Sequence, residues 1–236
     1  MKIALLGYGK MGQTIERIAL ERGHKIVLKK DEFNTYEGLS DADVAIDFSI
    51  PTVAVANISS CFHANVPVIS GTTGWLAQYD EMVTLCLKKK GAFISSSNFS
   101  LGVNLFFELN DHLAKMMAKF DSYKVTMEEI HHIQKLDAPS GTAISLAKGV
   151  IENSNYSSWT LENPTAEQIH IEAIRTENVP GTHTVTYNSD VDAIEIKHTA
   201  HNRDGFALGA VIAAEWIVGK QGVYSMKDVL SLENRY

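Results

Sequence analysis

Residues 2–6 form a short apolar run ending at glycine, as a buried parallel strand does. Met11, Ile15, Ile18 and Ala19 then recur at helical spacing, with Glu16, Arg17, Glu21 and Arg22 on the opposite side. Gly23 closes that helix. Residues 26–28, 44–48, 66–70 and 92–96 repeat the strand form, and residues 52–62 and 76–87 the helical one. Strands alternating with helices across short loops predict a parallel, doubly wound sheet.

After Asn98 the pattern changes. Leu101, Leu105, Leu109, Leu113, Met116 and Phe120 make one long helical stripe. Residues 123–131, 168–175, 183–188 and 193–198 then read as strands with few helices between them, which predicts a mostly antiparallel sheet in an α+β domain. Residues 205–218 are apolar nearly all round, so they form a buried helix, and Ser225 with Asp228 has the form of a capping box. The expected layout is α/β: a parallel-sheet domain of residues 1–100 and 204–236, with an inserted domain of residues 101–203.

Composition narrows the function. With 45% hydrophobic and 21% charged residues the chain is globular, and its formal charge of -7 argues against nucleic acid as the main partner. Phosphate bound through backbone amides stays compatible with that charge. The two cysteines, Cys61 and Cys86, make neither a disulfide framework nor a zinc-spaced cluster, which suits a reducing compartment. No signal-peptide pattern and no membrane-length apolar run is present, so a soluble, cytoplasmic protein that binds no membrane is expected.

The chemistry begins at Gly7-Tyr8-Gly9-Lys10-Met11-Gly12, a G-x-G-x-x-G fingerprint placed between strand and helix. The first glycine permits the turn, the second lets a pyrophosphate approach the backbone, and the third lets helix and strand pack. Free amides at the helix start face the phosphates, and Lys10 adds charge. Asp31 stands at the end of the second strand, where an acid bonds adenosine ribose hydroxyls. That acid favours NADH, while Lys29 and Lys30 leave room for the extra phosphate of NADPH, so both cofactors stay open. Gly71-Thr72-Thr73-Gly74 and Ser96-Ser97-Asn98-Phe99 follow later strands, where ligands of open parallel sheets sit.

The densest chemistry lies at Glu129 to Ala143, which ends a strand and opens a helix. His131 can carry a proton near neutral pH and Lys135 supplies a mobile cation. His131 and His132 point to opposite faces while the strand lasts, so both reach one ligand only where it ends. Pro139, Ser140, Gly141 and Thr142 mark a helix start whose free amides suit a carboxylate. The scattered histidines 131, 132, 183, 198 and 201 match no dense zinc pattern, so no metal is expected. Two other readings remain: a different nicotinamide-dependent dehydrogenase of amino-acid metabolism, and a non-enzymatic dinucleotide sensor.

Together, Gly7 to Gly12, Gly-Thr-Thr-Gly-Trp at 71–75, Ser-Asn-Phe-Ser-Leu-Gly-Val-Asn at 97–104 and His-His-x-x-Lys-x-Asp-Ala-Pro-Ser-Gly-Thr-Ala at 131–143 resemble the 4-hydroxy-tetrahydrodipicolinate reductase (dihydrodipicolinate reductase) family. Arg175, Gly181-x-His183 and the run from His198 to Ala210 extend the resemblance almost end to end. It implies a Rossmann-like domain joined to a substrate and oligomerisation domain, and reduction by NADH or NADPH of the dehydrated substrate to tetrahydrodipicolinate in lysine and diaminopimelate biosynthesis. His131 is then the proton donor/acceptor and Lys135 the proton donor, with His132, Gly141 and Thr142 on a carboxylate of a small cyclic diacid. Gly7 to Gly12, Asp31, Gly71, Thr72, Thr73, Ser96, Ser97, Asn98 and Phe99 hold the cofactor, and the assembly is a homotetramer built on the substrate-domain sheet. Glu32, Ile133, Gln134 and Glu177 depart from the family pattern.

Overall fold

The computed structural model describes residues 1–232. The described residues divide into two compact units, residues 1–101 with 203–232, and residues 102–202.

In the first unit, strand β1 (Lys2–Leu6) leads into helix α1 (Lys10–Glu21) and strand β2 (Lys25–Lys30). Strand β3 (Val44–Asp47), helix α2 (Pro51–His63), strand β4 (Val68–Ser70), helix α3 (Tyr79–Lys88) and strand β5 (Ala92–Ser95) continue the alternation. The sheet order is β2-β1-β3-β4-β5, extended at its far edge by a short strand β11 (Gly222–Tyr224), and every pairing is parallel. Sequence periodicity does not reveal β11, because three residues are too few to show a period.

Alternation along β1 explains the two layers. Ile3 and Leu5 pack on one face with Ile15 and Ile18 of α1 and with Ala210, Val211 and Ile217; Ala4 and Leu6 pack on the other with Ile58, Phe62 and Phe93. Each fully buried Ile, Leu, Val or Phe among them stabilises the fold by about 1.5–3 kcal/mol. Residues 210, 211 and 217 belong to helix α6 (Asp204–Ile217), whose small residues let it lie close to α1. Helix α7 (Met226–Val229) begins with the expected capping box, Ser225 with Asp228.

The second unit opens with helix α4 (Leu101–Met117), which begins at the last residue of the first unit, followed by strand β6 (Lys124–His132) and helix α5 (Gly141–Glu152). Strands β7 (Ser158–Thr160), β8 (Gln168–Thr176), β9 (Gly181–Asn188) and β10 (Ala193–Ala200) complete a sheet of order β10-β9-β6-β8-β7. This sheet is mixed. The pairs β10–β9 and β6–β9 are antiparallel, whereas β6–β8 and β7–β8 are parallel. The expectation of a mostly antiparallel sheet did not take the helix opening at Gly141 as a crossover; α5 carries the chain back so that the next strands run with β6. Helices α4 and α5 cover one face through Leu113, Leu146, Val150, Val125, Met127, Ile171 and Val185.

Candidate active site

Loops after β2, β1, β3, β4 and β5 lie in a row at the carboxyl ends of the first sheet, and the connections diverge between β1 and β3. A crevice at such a divergence is where open parallel sheets bind ligands. Gly7 has φ +99°, and a Cβ there would sit 2.2 Å from the Phe48 carbonyl oxygen. One on Gly12 would lie 2.3 Å from the Gly7 oxygen, while one on Gly9 would meet nothing within 4 Å. The turn is thus closed on its inner side and open at Gly9, where α1 begins.

Not every predicted cofactor residue offers its side chain. Tyr8 donates to Glu16, and Glu16 pairs with Lys29 at 2.6 Å. Lys30 donates to the carbonyls of Asp31 and Asn34, so both lysines beside Asp31 already have partners. Asp31 itself is exposed at the end of β2, its Oδ1 accepting the N–H groups of Phe33 and Asn34. Lys10 and Thr73 are exposed, Met11 and Gly71 partly so, and the Gly71 N–H donates to the Asp47 carbonyl. Ser96 Oγ donates to the Asn98 carbonyl and accepts its N–H, Ser97 is exposed, and the Phe99 ring is buried in the core.

Thr72 is also buried, for a reason that sequence does not disclose. Asp47 at the end of β3 is completely buried and accepts hydrogen bonds from Ser49, Asn57, Ser70 and Thr72 at 2.7–2.9 Å. Burial raises its carboxyl above the ordinary value, and the four donors oppose that rise. Thr72 Oγ1 also accepts the Ser49 N–H, so this hub ties the loops after β3 and β4 together.

In the second unit, register gathers the chemistry. Glu129 faces His183 across the β6–β9 pair, and His131 faces Arg175 across β6–β8. Alternation then puts Glu129, His131, Arg175 and His183 on one face. Glu129 is fully buried; its Oε1 accepts from Arg175 at 2.9 Å and its Oε2 from the Ser140 N–H at 2.8 Å. Burial alone would raise this carboxyl, but those hydrogen bonds outweigh it and hold the group below its ordinary value, hence ionised. Arg175 also donates to the carbonyls of Lys135 at 3.3 Å and Asp137 at 2.6 Å, so its guanidinium pins the loop after β6. On that loop Lys135 Nζ sits 2.8 Å from Asp137, whose carboxyl the ammonium lowers.

The loop delivers the chain, through a cis Ala138–Pro139 bond, to the start of α5. Ser140 caps that helix by accepting the Ala143 N–H, which leaves the first-turn amides of Gly141 and Thr142 without helical partners. A Cβ on Gly141 would meet nothing within 4 Å. His131 is buried and lies 3.3 Å from His183, Nε2 to Nε2. Burial lowers the pKa of His131, and Lys135 and Arg175 push the same way against Glu129. β6 ends at His132, whose ring alternation sends to the opposite face; its Nδ1 is buried and has no hydrogen-bond partner among the described residues.

Glu129 and Asp137 were not anticipated as site residues, and Ser140 only as part of a helix start. Their signal is present in the chain, since each lies within six residues of His131 or Lys135, but only strand register shows what they hold. Glu129, His131 and His183 place possible ligand atoms within 4.8 Å of one another. Arg175 already neutralises that carboxylate and both its oxygens accept hydrogen bonds, so the set reads as a polar network rather than a metal centre. Cys61 and Cys86 are both buried, which raises their thiols, that of Cys86 to about 11, and suits neither to nucleophilic attack.

Residues 1–99 match the family profile described as dihydrodipicolinate reductase, N-terminus, and residues 102–230 match the one described as dihydrodipicolinate reductase, C-terminus. The chain belongs to the dihydrodipicolinate reductase family. It is 58% identical over 234 residues to a 4-hydroxy-tetrahydrodipicolinate reductase of Christiangramia forsetii, covering 98% of each chain. With the enzyme of that name from Methanoregula boonei it shares 33% identity over 257 aligned positions, again covering 98% of each. A solved dipicolinate-bound dihydrodipicolinate reductase from a Paenisporosarcina species superposes with a TM-score of 0.75 at 21% identity, covering 95% of this chain and 97% of the other, which shows a shared fold.

Against the dihydrodipicolinate reductase pattern the departures are mild. Ile133 and Gln134 are both exposed, outside the Glu129 network. At the Glu177 departure the loop turns on Asn178, whose φ of 61° is one that asparagine tolerates.

Proposed function

We propose that this protein is an NAD(P)H-dependent 4-hydroxy-tetrahydrodipicolinate reductase. Hydride adds to the dehydrated substrate and gives tetrahydrodipicolinate in lysine and diaminopimelate biosynthesis. One observation carries the assignment of the site: Glu129, His131, Arg175 and His183 share one sheet face beside the Lys135 loop and the open start of α5, in a chain of this family.

The first unit fits a nicotinamide dinucleotide, because the turn is closed at Gly7 and Gly12 and open at Gly9, where a pyrophosphate must approach. Gly7 to Gly12 hold the pyrophosphate, Asp31 the ribose hydroxyls, and Gly71 to Thr73 with Ser96 to Phe99 line the rest. Thr72 and Phe99 contribute backbone rather than side chain, since both side chains are buried. When bound, the reduced nicotinamide supplies a hydride.

The second unit binds the diacid. The amides of Gly141 and Thr142, without helical partners at the start of α5, hold a carboxylate. Lys135 attracts the negative charge that develops on the ring and supplies a proton, and His131 donates or accepts one beside it. Arg175, through the carbonyls of Lys135 and Asp137, keeps that ammonium in place. A cytoplasmic homotetramer completes the reading. Its interface is the second-sheet face that α4 and α5 leave uncovered, which presents Thr126, Glu195 and Lys197. No helix among the described residues is long and apolar enough to cross a membrane.

The test feeds purified protein the product of dihydrodipicolinate synthase and follows oxidation of NADH and NADPH separately. Oxidation that depends on that product, and falls at least a hundredfold in His131→Ala with cofactor affinity intact, is expected. Failure to oxidise either cofactor overturns the assignment.

A further inference from the structure

We infer that His183 is a positioning residue for His131: it fixes which nitrogen of the His131 ring carries the proton and leaves Nε2 as an acceptor. The geometry stands on its own, whereas its consequence for turnover rests on the reductase reading above.

The two Nε2 atoms lie 3.3 Å apart in rings inclined at 69°. A contact of that length holds one proton, because facing lone pairs repel and facing N–H groups collide. Burial drives the pKa of His183 down to about 4, so the ring is neutral at physiological pH and carries a single proton. Its Nδ1 is buried with no hydrogen-bond partner among the described residues. A proton there would be a buried donor without an acceptor, which costs about 1–3 kcal/mol. The proton therefore belongs on Nε2, facing His131 Nε2 at 3.3 Å and Ser140 Oγ at 3.0 Å.

The His131 ring completes the lock. With Nε2 turned to His183 as the acceptor, the neutral His131 ring carries its own proton on Nδ1. Gly181 makes room for that arrangement, since a Cβ there would lie 2.9 Å from His131 Cε1 and 3.2 Å from Nδ1. Charged and titratable groups face the pair from every element packed on it: Glu129 from β6, Lys135 from the following loop, Arg175 from β8 and His198 from β10. Glu129 Oε2 is 3.8 Å from each Nε2, too far to draw the shared proton away.

Resting His131 thus carries no proton on Nε2 and takes the acceptor role of the His131–Lys135 pair. The proton that completes the ring reduction then comes from Lys135. As the ring is reduced, its displaced π pair bonds to that proton, and the Nζ–H bond breaks to leave a neutral amine that solvent reprotonates.

Long-range 1H–15N correlation spectra of the ligand-free full chain, with 15N-labelled histidine, test the lock at neutral pH. The expected result is Nδ1–H for His131 and Nε2–H for His183; a proton on His131 Nε2 overturns the inference. His183→Gln keeps an N–H at the right reach, so it should preserve the His131 tautomer and most of the turnover. His183→Leu should release the tautomer and lower kcat at least tenfold, with KM for the cofactor unchanged. Equal losses in both variants, or full turnover in His183→Leu, overturn the inference as well. If either variant fails to fold, the wild-type spectrum decides. A wild-type protein that reduces no substrate would sink the reductase reading and leave the tautomer result intact.

Discussion

Replacing Arg175 by lysine keeps a positive charge on β8 and removes the planar fork that reads several acceptors at once. An ammonium can stay on Glu129, but it cannot also span the carbonyls of Lys135 and Asp137, which Arg175 reaches at 3.3 and 2.6 Å. The short bond is charge-assisted, worth about 1.5–3 kcal/mol, and the long one well under about 1 kcal/mol. Asp137 is exposed, so solvent trims the sum to about 2 kcal/mol. A looser loop places Lys135 less precisely, and about 2 kcal/mol corresponds to roughly a 30-fold fall in kcat/KM for the diacid. Because the fork's hydrogen bonds all lie within the second unit, KM for NADH or NADPH should not move. Steady-state kinetics, with each substrate varied separately, measure both. Arg175→Met goes further and strands the Glu129 charge, which has no exposed surface, so urea unfolding should show a loss of about 3–5 kcal/mol. Adding Glu129→Gln should return much of that stability without restoring turnover. An Arg175→Lys enzyme with unchanged kcat/KM for the diacid would show that the guanidinium does not hold the loop in its working position.

Two further outcomes follow from the first unit. Gly9→Ala places its methyl in open space, so its thermal midpoint should stay near wild type while NADH affinity, read by fluorescence titration, drops at least tenfold; Gly12→Ala pushes against the Gly7 carbonyl and should cost about 1–3 kcal/mol of stability. Glu215 on α6 is held by Arg22 at the end of α1 and by His24, and these partners set its carboxyl below the ordinary value. Its stabilisation is therefore present above the unfolded pKa and fades as pH falls through the lower, folded one. Denaturant melts should show Glu215→Gln about 1 kcal/mol less stable at pH 7, with solvent screening included, and a gap that closes in acid below the ordinary glutamate range. A pH-independent gap would exclude the ion pair as its source.

Local pattern already specified much of this protein. The β1 run, the glycine turn, the helix after it and the Ser140 cap are all set by residues within one or two turns of one another, so spacing and residue type reveal them. The segment from His131 to Thr142 was legible as chemistry for the same reason: strand end, loop and helix start follow each other directly. What remained hidden depends on residues far apart in sequence. Glu129, Arg175 and His183 meet because three strands pair in one register, and a shift of one residue would send them to opposite faces. Thr72 looks like a ligand-facing loop hydroxyl until folding brings the buried Asp47 beneath it. The parallel half of the second sheet follows from the route that α5 takes, and β11 exists only because β5 offers it an edge. Chain neighbours fix dihedrals and caps; which side chains share a proton or a charge is settled only when separate strands are brought side by side and water is excluded between them.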